Sequence, residues 1–108
     1  MSILLNSFIR EQYKLLARSN GWYYLRNEFI KENYFCSACD AVKGIQVHHI
    51  KPVHLFPDLE LDWDNLISLC GDCHFVIGHS RNWRKYNINV IEVCALLKEG
   101  IKGKISNV

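Results

Sequence analysis

Two Cys-x-x-Cys pairs, Cys36/Cys39 and Cys70/Cys73, bracket a histidine doublet (His48-His49), an asparagine (Asn65) and a histidine directly after the last cysteine, His74. Four thiolates in two such pairs make a closed tetrahedral set suited to structural zinc. That zinc does not need His48, His49, Asn65 or His74. A neutral imidazole, with an intrinsic pKa of about 6.5, can ligate a metal or accept a proton near neutral pH. An amide can hold a neighbouring group without titrating. Taken singly, each residue has an ordinary explanation: a packed or solvated strand histidine, a histidine at a helix start, an asparagine in a capping position. Taken together, in this order between two cysteine knuckles, they point to chemistry.

The elements that must position these groups follow from the hydrophobic pattern. Leu5, Ile9, Tyr13 and Leu16 share one face of a first helix, which Ser19-Asn20-Gly21 is expected to break. Trp22, Leu25 and Phe29 predict a second helix ending about Lys31. Ile45 to Ile50, β-branched and roughly alternating, reads as a strand. Adjacent strand side chains point to opposite faces, so one histidine of the doublet can face a metal while the other turns elsewhere. Residues 51–63 hold both prolines and read as a long loop in which His54 packs or makes a loop hydrogen bond. Asp64 is expected to N-cap a short helical turn from Asn65 through Leu69, and another helix starts near His74. Residues 88–98 form the last helix, with Gly100 and Gly103 marking a loosening tail. Gly44 and Gly78 are the expected backbone switches.

Composition sets the bounds. A chain of 108 residues, 49% hydrophobic and 12% aromatic, reads as a single globular domain over 1–108, helped by a metal staple. Residues 36–73 carry two basic and six acidic side chains, whereas 74–108 carry six basic and two acidic. An acidic metal-binding centre beside a basic C-terminal third suits a polyanion partner, although on charge alone an ordinary solvated helix face is the favoured reading. No apolar run is long enough for a membrane span. The start, MSILLNSFIREQ, lacks a basic leader and a cleavage site and reads as helix. A cytoplasmic location and reduced cysteines are therefore expected. The fifth, Cys94, lies on the Val90, Val93, Cys94, Leu97 stripe and reads as an inert core thiol.

The run Cys36-x-x-Cys39, Val47-His48-His49-Ile50, Asp64 to Cys70, Cys73-His74 resembles the zinc-knuckle form of the HNH endonuclease family. Arg18-x-x-x-Trp22-x-x-Leu25-Arg26 is similar to the helix leading into that motif, and residues 74–87 resemble the tail of small bacterial and phage members. The resemblance implies an α+β chain: a ββα-metal motif, core 36–87, clamped by a four-cysteine zinc site and flanked by N- and C-terminal helices. It implies hydrolysis of DNA phosphodiesters to 5′-phosphate and 3′-hydroxyl ends. His48 and His74 would hold one catalytic divalent ion, Mg2+, Mn2+ or similar. His49 would be the general base on water, and Asn65 would hold the loop and orient His49.

Arg81, Arg84 and Lys85 follow closely and suit contacts to the DNA backbone, which position a duplex without reading it. Without a reader module, specificity would be low, or supplied by a homodimer or a bacterial or phage protein partner. His79 stands at i+5 from His74, about 140° round a regular helix, and is expected outside the metal shell unless Gly78 distorts the helix. The alternative is a zinc-stapled nucleic-acid or protein-binding module without turnover, which a missing His49 or Asn65 would have favoured. A thiol–disulfide protein is the weaker third reading, since no thioredoxin-like βαβ pattern accompanies the cysteines.

Overall fold

The computed structural model describes the backbone of residues 18–106 and the side chains of residues 21–100. The helix expected over Leu5 to Leu16 lies outside the described residues. The first described element is α1, Arg18–Glu32. It runs through Ser19-Asn20-Gly21, so the expected break is corrected. A helical glycine costs only about 1 kcal/mol against alanine, less than the burial this helix secures. Leu25 and Phe29, one turn apart, enter a cluster with Leu61 and Leu66, against which Trp22, Val47 and Trp63 pack. Asn33 ends the helix: its backbone N–H and its side-chain amide both donate to Phe29 O, at 2.8 and 3.1 Å.

Two strands follow, β1 (Ile45–His49) and β2 (Leu66–Cys70), paired antiparallel with His48 opposite Ile67 and His49 opposite Leu66. Gly44, at φ 63°, turns the chain into β1 as expected. The helical turn expected from Asn65 through Leu69 is corrected. Asp62, not Asp64, caps a short 3-10 turn, Trp63–Asn65, by accepting from the Asp64 N–H at 3.0 Å, and the chain then extends into β2. Within residues 51–63 a second 3-10 turn covers Pro57–Leu59. His54 stands exposed in that connection, not packed.

β2 is buried on both sides. Leu66 joins the α1 cluster, while Ile67 and Leu69 join a second cluster with Cys36, Ala38, Ile50, Ile77, Val90 and Cys94. Leu69, fully buried, is placed so that truncation to alanine would cost about 2–5 kcal/mol. One α turn, α2 (Gly71–Cys73), continues directly into a π turn, His74–Gly78. The last helix, α3 (Val90–Ser106), packs Val90 and Cys94 inward and runs through Gly100 and Gly103, so the expected loosening there is also corrected. The result is a ββα arrangement with a helix on either flank. Burial raises the Cys94 thiol to about 11, in keeping with an inert core residue.

Candidate metal centre and catalytic cleft

The two cysteine knuckles meet because β1 and β2 bring the ends of the hairpin together. In the first, Asp40 N–H donates to Cys36 O at 3.0 Å and Cys36 N–H to Ala41 O at 2.8 Å, with Asp40 at φ 65°. Ser37 N–H donates to Ser68 O at 2.9 Å and ties this turn to β2. The Sγ atoms of Cys36, Cys39, Cys70 and Cys73 lie within 4.8 Å of one another, all as free thiols. The Cys39–Cys70 separation is 3.8 Å. A tetrahedral ion with metal–sulfur bonds of about 2.3 Å sets its sulfurs about 3.8 Å apart, so the residues fit a bound metal. Burial pushes Cys36 up, but backbone N–H groups of Cys70, Ala38 and Cys39 outweigh it and bring the thiol down to about 7. Cys73 is raised by burial and by its thiol neighbours. A cation seated among the four sulfurs would bring them to thiolates together.

The histidine doublet splits across the sheet, as strand geometry requires. By register, His48 shares a face with Gln46, Ile67 and Leu69, the face toward the π turn; His49 shares a face with Val47, Ser68 and Leu66, toward α1. His48 is 3% exposed. Its Nδ1 lies 3.0 Å from His74 Nε2, and its buried Nε2 has no hydrogen-bond partner among the described residues.

His79 joins them, correcting the expectation that i+5 spacing turns it away. The reason is the π turn: His79 N–H donates to His74 O at 3.0 Å, an i→i+5 bond that draws residue i+5 back over residue i. Gly78 contributes by lacking a side chain, not by a positive φ. A Cβ there would meet His48 Cε1 and His74 Cδ2 at 3.2 Å. Gly78→Ala is therefore expected to weaken divalent-ion binding at the histidines at least tenfold, with the cysteine site and fold retained. Isothermal titration of the variant against wild type measures this, and unchanged affinity would contradict it.

The protons of this cluster are already assigned by its outer partners. His74 Nδ1–H donates to Gln46 Oε1 at 2.6 Å, and His79 Nδ1–H donates to Lys85 O at 2.8 Å. Each Nε2 therefore carries a lone pair, and the two face one another at 3.2 Å. That approach calls for positive charge between them. Protonation of His48 or His74 is disfavoured: burial, then the neighbouring histidines, lower His48 to about 3, and burial, then His79, lowers His74 to about 4. Imidazole ligands about 2.1 Å from one ion stand about 3.0–3.4 Å apart, so the 3.0 and 3.2 Å separations fit a shared cation. Outer hydrogen bonds that select the tautomer are typical of metal-ligating histidines.

His49 is held differently. Its ring lies 4.4 Å from that of Trp22, tilted by 34°, and its Nε2–H donates to Glu60 O at 2.9 Å. Nδ1 is left with the free lone pair. Burial lowers its pKa, opposed by the Glu60 carbonyl and carboxylate. The Asn65 side chain makes no hydrogen bond to His49. Its Oδ1 accepts from Lys51 N–H at 2.9 Å, and its Nδ2 donates to Lys51 O and Leu59 O at 3.0 and 3.2 Å. It thereby pins both ends of the loop that delivers the Glu60 carbonyl. Trp22 and Glu60 were invisible as site residues in sequence: a tryptophan on a helix stripe reads as core, and a carbonyl has no side-chain signature. His48, His49, His74 and His79 all line one cleft of about 250 Å3, with Val47, Pro52, Val53 and Tyr86. Arg81, Arg84 and Lys85 are exposed on the turn beyond His79.

A histidine-lined cleft on a ββα unit clamped by four cysteines defines the class of ββα-metal proteins. Residues 36–79 match the family model described as HNH endonuclease, a span that holds both cysteine knuckles and the four cleft histidines. No curated protein and no solved structure matches the chain.

Proposed function

We propose that this protein is a metal-dependent DNA endonuclease, hydrolysing phosphodiester bonds to 5′-phosphate and 3′-hydroxyl ends. The observation that carries the reading is the convergence of His48, His74 and His79 ring nitrogens in the same cleft as His49. The four cysteines hold structural zinc. The three imidazoles hold one divalent ion; nitrogen donors favour a first-row transition ion over Mg2+, which prefers oxygen, with Mn2+ the weakest binder of that series. When bound, that ion supplies positive charge for the phosphorane and the leaving oxygen.

His49 does the proton work. Nδ1 accepts a proton from water as the water oxygen bonds to phosphorus, and the P–O3′ bond breaks. The leaving 3′-oxygen is protonated from solvent. The Nε2–H bond to Glu60 O keeps the ring in the required tautomer and stabilises the imidazolium as it forms. Trp22 restrains the ring from the other side, and Asn65 keeps the loop in register. Arg81, Arg84 and Lys85 bind backbone phosphates. Sequence selectivity is low, or comes from a second copy or a protein partner, and the work is cytoplasmic. No helix among the described residues is long and apolar enough to cross a membrane.

End-group analysis tests the reaction: products should be ligatable at the 5′ end and extendable by polymerase at the 3′ end. The pH profile tests the base. Because burial depresses His49 below its ordinary value of 6.5, the lone pair persists as pH falls, and the acid limb of the cleavage rate lies below 6.5. An acid limb above the ordinary imidazole range, or 3′-phosphate ends, would contradict the assignment.

A further inference from the structure

The turn after His79 is fixed by several backbone hydrogen bonds. Ser80 and Arg81 both adopt left-handed backbone, at φ 51° and 65°, a conformation that costs energy for residues other than glycine. Arg81 N–H donates to Phe75 O at 2.9 Å, Asn82 N–H to His79 O at 3.0 Å, and Lys85 N–H to Asn82 O at 2.8 Å. Arg84 N–H donates to Asn82 Oδ1 at 3.0 Å. This scaffold presents Trp83, which is 58% exposed. Its indole touches the rings of His74, Phe75 and His79 at centroid distances of 5.2, 5.0 and 4.8 Å, with interplanar angles of 80°, 45° and 54°. None of these is a parallel stack, so among the described residues no coplanar ring occupies an indole face.

A large aromatic side chain held open beside the histidine cluster, with Arg81, Arg84 and Lys85 exposed around it, has the make-up of a single-strand platform. There bases stack on aromatic rings while cations track the backbone. Inside a duplex, neighbouring base pairs cover both faces of every base. Only an unpaired or terminal base can offer a face to Trp83. We propose that Trp83 stacks on an unpaired nucleobase next to the scissile phosphate, which makes single-stranded DNA, flaps and frayed ends the substrate class. The proposal rests on the nuclease reading of the histidine cluster.

Two variants of the full chain separate stacking from packing: Trp83→Leu keeps apolar bulk against the histidines but has no π-face, and Trp83→Phe keeps both. Binding is measured by anisotropy on a short labelled single strand and on the duplex of the same sequence, without added divalent ion. Trp83→Leu should weaken single-strand binding about tenfold and duplex binding less than about twofold, with Trp83→Phe near wild type. Equal losses on both forms, or none, would overturn the proposal. Cleavage measured alongside keeps the two readings apart. A strand-selective binding loss with no cleavage by wild type would remove the nuclease reading and leave the stacking. Wild-type cleavage whose single-strand to duplex ratio is unchanged in Trp83→Leu would remove the stacking and leave the nuclease.

Discussion

Replacing His49 by alanine is expected to lower DNA cleavage by roughly 10²–10⁴-fold while fold and metal content stay at wild-type levels. The separation follows from the position of His49 on the sheet. It faces α1 and the Glu60 carbonyl, whereas the converging nitrogens belong to His48, His74 and His79. Removing it deletes a proton acceptor and leaves those three histidines untouched. His48→Ala or His74→Ala should instead lower divalent-ion affinity together with rate, and the double variant should be little worse than either single one, because these residues act as a unit. The decisive comparison is rate against metal occupancy for each variant. A His49→Ala protein that cuts at near wild-type rate, or that loses the divalent ion, would overturn the division of labour.

The second large effect concerns the cysteines. Cys39→Ala, or prolonged chelation, is expected to unfold the domain. The two knuckles are joined through residues far apart in sequence, and binding of a structural metal there is itself folding free energy, on the order of 10 kcal/mol. The second core cluster is built on the same elements: Cys36 and Ala38 are buried in it, with Cys70 and Cys73 packed against it. Loss of the metal therefore releases the ends of both strands and the start of the π turn. Circular dichroism and metal analysis on protein purified under reducing conditions measure the outcome. A Cys39→Ala protein with wild-type thermal stability, or native protein carrying less than one zinc per chain, would contradict it.

Much of the site could be read from the chain because its signals are local. The Cys-x-x-Cys pairs, the doublet and the Cys73-His74 junction need only sequence order to suggest two metal sites, and strand alternation correctly separates His48 from His49. The misses have specific physical causes. β2 is buried on both faces, so Leu66 to Leu69 shows no alternation and is easily mistaken for a helical turn. Gly21 and Gly100 sit inside helices because burial of Leu25, Phe29, Val90 and Cys94 outweighs a propensity cost of about 1 kcal/mol each. His79 depends on a π turn, and an i→i+5 hydrogen bond leaves no periodic trace in sequence. Gly78 between the two histidines was the one available sign. The anchor of His49 is a backbone carbonyl, and the Asn65 contacts reach Lys51 and Leu59 across a loop whose path sequence does not specify.

The plainest test is cleavage of supercoiled plasmid and of circular single-stranded DNA by the purified, zinc-loaded protein, with Mn2+, Mg2+ or no divalent ion added and His49→Ala prepared alongside. Cut DNA is expected only when a divalent ion is present, with far less from His49→Ala, and at a rate that falls steeply with added salt as phosphate contacts are screened. Both DNA forms left intact under every ion, or equal cleavage by wild type and His49→Ala, would contradict the nuclease reading.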